Sequence, residues 1–112
     1  MFCVYAKKHS RTFNDGSKHC VLALCDASLL GKGFSEERKV LDLNANAAFY
    51  KGEKIGEKQA KKMLEDALKD SRTSLNVVGK KSVECLKKAM PSFNEENVKK
   101  VAGVPHVHVY RV

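Results

Sequence analysis

The sequence predicts an α+β fold: a small, mainly antiparallel or mixed sheet with two main helices packed on it, forming one compact domain. Three observations lead there. The first part of the chain alternates apolar runs with turn residues, residues 57–90 carry two segments with helical apolar spacing, and a valine-rich strand pattern follows them. At 112 residues the chain suits one domain, 1–112, large enough to bury a core without metal or disulfide staples.

Residues 2–9 and 18–25 are strand candidates, and Asn14-Asp15-Gly16 in the connection between them is a hairpin turn signal. The run Cys20–Cys25 is apolar without alternation, as in a central strand buried on both faces. Asp26 is expected to cap one helical turn through Ala27–Leu30, with Gly31 as its left-handed stop. Phe34 and Val40–Leu43 suggest further short strands, and Phe49-Tyr50-Lys51-Gly52-Glu53 an aromatic loop packed before the first helix. Residues 57–70 form that helix, with Ala60, Met63, Leu64, Ala67 and Leu68 on one stripe, Gly56 as N-cap and Ile55 stapled to Ala60. A second helix spans 80–90: Val83, Cys85, Leu86, Ala89 and Met90 turn inward, Lys80, Lys81, Glu84, Lys87 and Lys88 outward, and Pro91 stops it. Strands at 98–101 and 106–111 follow, with a turn at Gly103 and Val104 held extended by Pro105.

The formal net charge is +8, and residues 51–112, with fourteen basic and eight acidic groups, hold +6 of it. Such a balance favours anionic partners, nucleic acid first. No apolar run approaches membrane-spanning length, and Lys7-Lys8-His9 ends the apolar start too early for a signal peptide, so a cytoplasmic location and no membrane partner are expected. Cys3, Cys20, Cys25 and Cys85 lack C-x-x-C spacing and read as reduced residues, three of them within apolar patterns.

Period-two geometry puts His106, His108 and Tyr110 on one face of the last strand. Two imidazoles do not complete a metal site, and neither His9 nor His19 is tied to them by spacing, so neither metal nor cofactor is expected. The rings suit stacking on bases, although sheets display such rings for packing as well. Leu30-Gly31-Lys32-Gly33-Phe34 offers backbone N–H groups and a lysine to a phosphate, but it lacks P-loop spacing, and a helix stop with a tight turn is the weightier reading. No nucleophile-elbow, zincin or cysteine–histidine signature occurs, so binding ranks above catalysis.

Leu30-Gly31-Lys32 with Phe34 and Glu36, Phe49-Tyr50 with Gly52-Glu53, Asn76 with Val78-Gly79, and Gly103-Val104-Pro105-His106 occur in an order that resembles the archaeal family catalogued as domain of unknown function 424. The resemblance runs nearly end to end. It implies a compact α+β domain in an archaeal cytosol and no established activity, and it marks Gly31, Lys32, Tyr50, Glu53, Asn76, Gly79, Pro105 and His106 as site candidates. Glu37 departs from the family's Gly, the loop 10–17 is longer than usual, and Val107 replaces an Ala. His108 lies outside the pattern, so a shared function does not depend on an H-x-H pair.

The leading expectation is a non-enzymatic binding protein for RNA or a ribonucleoprotein such as the ribosome, with Lys80, Lys81, Lys87 and Lys88 for phosphates and His106 and Tyr110 for close contact. The rivals are a small phosphate- or metal-dependent enzyme built around Lys32, Glu53, Asn76 and His106, and a protein-interaction subunit with a protein partner.

Overall fold

The computed structural model describes residues 3–30, 32–36, 39–42, 47–70, 72–90 and 93–109. The hairpin forms from β1 (Val4–Thr12) and β2 (Lys18–Asp26), paired from Val4↔Asp26 to Thr12↔Lys18. It is longer than the apolar pattern suggests, because the polar residues Ser10-Arg11-Thr12 continue the ladder and leave only Phe13–Ser17 as the turn. Asp15 Oδ1 closes that turn by accepting from Ser17 N at 2.9 Å and Ser17 Oγ at 2.6 Å, which holds its carboxyl below the usual aspartate range.

After β2 come a hairpin of β3 (Gly33–Glu36) and β4 (Lys39–Asp42), a short helix α1 (Ala47–Tyr50) and a three-residue strand β5 (Glu53–Ile55). The long helix α2 (Glu57–Lys69) precedes β6 (Thr73–Val78), α3 (Lys80–Ala89), a 3-10 turn at Glu95–Asn97, β7 (Lys99–Val101) and β8 (Val104–Val109). The main sheet runs β5-β1-β2-β6-β8-β7; β2 and β6 are parallel and the other neighbours antiparallel. The sheet is therefore mixed.

Strand alternation divides the sheet between two clusters. On one face Val4, Ala6, Leu22, Leu24, Leu75, Val77 and Val107 pack with Ala60 and Leu64 of α2 and Val83, Cys85 and Leu86 of α3. Ile55, just before the Gly56 cap, and Ala60, four residues after it, are both buried there as the staple requires. On the other face Ala23, Cys25, Val78 and Val104 gather under Tyr50, with Phe49, Leu29 and Leu30 beside them. Residues 22–26 are accordingly buried on both sides, as an apolar run without alternation predicts.

Two glycines make close approaches. A Cβ on Gly52 would meet the Ala6 carbonyl oxygen and lie 2.8 Å from Lys7 Cβ, so only glycine lets the chain enter β5 this near β1. Gly79, with φ 107° and ψ 156°, lies against Asp26.

The β7–β8 turn has two consecutive positive φ values, 50° at Ala102 and 81° at Gly103. A two-residue hairpin loop of this kind favours Asn-Gly over Ala-Gly, because an alanine Cβ is crowded in the left-handed region. Ala102→Asn is expected to stabilise the protein by about 0.5–1 kcal/mol, read as a higher urea midpoint at unchanged slope.

Candidate functional site

The site begins at the end of β2. Asp26 is only 5% exposed, and its carboxylate caps α3, 55 residues later in sequence, rather than the turn that follows it. Oδ2 accepts from Lys81 N at 3.0 Å; Oδ1 accepts from Ser82 N at 2.8 Å and from the fully buried Ser82 Oγ at 2.7 Å. The local turn is held instead by backbone, with Leu29 N donating to Asp26 O at 3.0 Å and Lys32 N to Leu29 O at 3.1 Å. This corrects the expected local cap. Parallel pairing of β2 with β6 sets Cys25 opposite Val78, so the residue after Cys25 meets the helix that starts just after Val78.

Family-motif residues converge around this junction. Gly79 N donates to Pro105 O at 2.8 Å, and His106 pairs in register with Val78. Tyr50 Oη donates to Asn76 Oδ1 at 2.9 Å across 26 residues of sequence. Burial pushes the Tyr50 phenol up to about 12, with the Asn76 hydrogen bond acting in the opposite direction, so Tyr50 remains a neutral donor. Burial, with the nearby Asp26 charge, likewise pushes the Cys25 thiol up to about 12. Cys20, Cys25 and Cys85 are buried and Cys3 half-buried, all as free thiols.

Other candidates lie apart. Lys32 is exposed beyond the Leu29 turn, and Glu53 is exposed on β5 opposite Ala6. Four inter-strand steps separate β5 from β8, about 19 Å at ~4.8 Å each, so Glu53 and His106 do not share a reaction centre. Gly31 and Tyr110 lie outside the described residues. Among the described residues no group of three or more His, Cys, Asp or Glu side chains is placed to hold a metal ion.

The α3 lysines divide between two directions. Lys80 and Lys87, two turns apart, join Lys100 of β7 around a cleft of about 620 Å³ whose apolar lining is Val83, Val98 and Pro105 and whose acid is Glu84. Lys87 Nζ lies 3.4 Å from Glu84 Oε1, while Lys80 and Lys100 form no ion pair with a described residue. Lys88 turns instead to α2 and binds Glu57 Oε1 at 2.7 Å, holding that carboxyl below its ordinary range. Lys81 is exposed near the capped end.

His106 lies across the sheet from this cleft. Register places all four histidines, His9, His19, His106 and His108, on the face opposite α2 and α3. His9 stacks on Phe49 with ring centres 4.4 Å apart and planes 7° from parallel, and its Nε2 lies 2.8 Å from Phe49 O. His106 and His108 meet edge to face at 5.7 Å. A depression of about 360 Å³ is lined by His19, Val21, Phe49, Ser74, Leu75, Asn76 and His108; another of about 280 Å³ by Glu96, Asn97, Lys99, His106 and His108. Lys99 and Lys100, adjacent on β7, thus serve depressions on opposite faces. The convergence of His9 and His19 with the terminal pair was hidden in the sequence, since only strand order brings them together; strand alternation was the available signal.

The arrangement is a fixed scaffold with a cationic cleft on one face and a surface of rings and amides on the other. No helix among the described residues is long and apolar enough to cross a membrane. No curated protein matches the chain. Among solved structures, an uncharacterized conserved protein from Methanopyrus kandleri is similar over 98% of this chain and 92% of its own, at 25% sequence identity and a TM-score of 0.78. The family model described as "Protein of unknown function (DUF424)" matches residues 13–112: the chain belongs to that family.

Proposed function

We propose that the protein is a non-enzymatic RNA-binding module that works on RNA or within a ribonucleoprotein such as the ribosome, in the cytoplasm. The cleft formed by Lys80, Lys87 and Lys100 is the observation that carries this reading. Three lysines converge from a helix and an edge strand on an apolar floor, and the net charge of +8 adds a long-range pull on polyanions. The helix N-terminus beside the cleft is already occupied by Asp26, which takes the N–H groups of Lys81 and Ser82. Anion contact there falls to lysine side chains, which position a backbone without reading its sequence.

Affinity purification of the tagged protein from native extract, with and without nuclease, tests the class of function. Recovery of ribosomal subunits or defined RNA that nuclease abolishes is the expected result. A single protein partner that survives nuclease at constant stoichiometry would replace this reading with that of a protein-interaction subunit.

A further inference from the structure

The depression over Asn76 has a chemical polarity that the cleft lacks. Asn76 stands at the middle of β6, flanked in register by Ala23 of β2 and His108 of β8, and it is half-buried. Its amide is turned by one bond: the Tyr50 hydroxyl, neutral and buried, donates to Oδ1. That leaves Nδ2, with two N–H donors, as the amide's other end, and Nδ2 has no hydrogen-bond partner among the described residues. Asn76 lines a depression of about 360 Å³ together with the rings of His19, Phe49 and His108, with Val21 and Leu75 as its apolar part. Flat walls and a directed donor suit a planar heterocycle with a hydrogen-bonding edge.

A free asparagine amide can pair with a base through both its ends, accepting from an amino group while donating to a ring nitrogen. In Asn76 the Tyr50 hydroxyl takes one of the two acceptor positions of Oδ1 and fixes the amide, which leaves Nδ2 as its unpartnered end among the described residues. That end is a donor, so it complements an edge that accepts. Uracil presents a carbonyl at position 4 and guanine at position 6, where cytosine and adenine present amino groups. We infer that this depression is a single-nucleobase subsite that selects carbonyl-bearing bases, uracil and guanine, over amino-bearing ones, cytosine and adenine. The inference rests on the RNA-binding reading and adds base selection to it. Phosphate contact and base selection then reside on opposite faces of the sheet, with Lys99 and Lys100 of β7 between them.

The test compares binding of oligouridine and oligocytidine of equal length at one salt concentration, by fluorescence anisotropy. Wild-type protein is expected to favour oligouridine by roughly fivefold to tenfold. Asn76→Asp keeps the side-chain shape and the Tyr50 bond but replaces the donor by an acceptor, so the ratio should invert towards oligocytidine even as the added negative charge weakens both complexes. Tyr50→Phe releases the amide to rotate, so the ratio should fall towards one while affinity for each oligomer is kept; circular dichroism confirms that both variants are folded. Equal binding of the two oligomers by wild-type protein, or a uridine preference unchanged in Asn76→Asp, overturns the subsite while salt-dependent RNA binding survives. Absence of binding to either oligomer and to cellular RNA overturns the subsite together with the reading it rests on.

Discussion

Gly79→Ala is expected to destabilise the protein by about 4 kcal/mol and to abolish its folding at elevated temperature. Two costs act together. The backbone at φ 107° and ψ 156° lies in a region open to glycine alone, and an added Cβ would fall 2.6 Å from both carboxylate oxygens of Asp26. Neither neighbour can give way cheaply: Asp26 is anchored by three hydrogen bonds, and Gly79 N by its bond to Pro105 O. Urea denaturation followed by circular dichroism reads the effect, and an unfolding free energy within about 0.5 kcal/mol of wild type, the ordinary spread for surface changes, would show that this junction is not packed as described.

Asp26→Ala is the second large effect, expected to cost about 3 kcal/mol. It removes the acceptors for Lys81 N and Ser82 N and strands the hydroxyl of Ser82, which is 0% exposed. Asp26→Asn should be intermediate, because one end of the amide would face the Lys81 N–H with a donor of its own. The two positions are also coupled. Truncating Asp26 makes room for a Cβ at position 79, so the double variant Asp26→Ala/Gly79→Ala should lose measurably less than the two single losses combined. Strict additivity would contradict the contact between them.

The elements with strong periodicity were legible from the chain alone. The α2 stripe of Ala60, Leu64 and Ala67, the inward Val83, Cys85 and Leu86 of α3, and the two-sided burial of β2 all followed from apolar spacing. Elements of three or four residues, β5 and α1, carry too few positions to show a period. Parallel pairing of β2 with β6 is a tertiary choice that no local pattern announces, and it redirects Asp26 from its own turn to α3. Asp26 was thus identified as a cap but given the wrong helix.

The candidate site was legible as residues and illegible as surfaces. Family motifs singled out Tyr50, Asn76, Gly79 and Pro105, which the fold joins through the bonds Tyr50–Asn76 and Gly79–Pro105. Lysine spacing marked α3 as basic, yet helical rotation sends Lys80 and Lys87 to the cleft and Lys88 to Glu57. Lys100 joined the first two only through the β7–β8 hairpin, from a strand whose placement depended on the sheet order. His106 and the α3 lysines, both expected to contact RNA, stand on opposite faces because Val107 between the two histidines faces the helices.

Phosphate contact by Lys80, Lys87 and Lys100 is read by titrating the affinity for single-stranded RNA against salt, for wild-type protein and for Lys80→Gln/Lys87→Gln/Lys100→Gln. Log affinity should fall linearly with log salt for wild type, with a slope shallower by about 2 in the triple variant, from ~0.7 per lost phosphate contact on a single strand. Binding that does not respond to salt, or a triple variant with the wild-type slope, would contradict that contact.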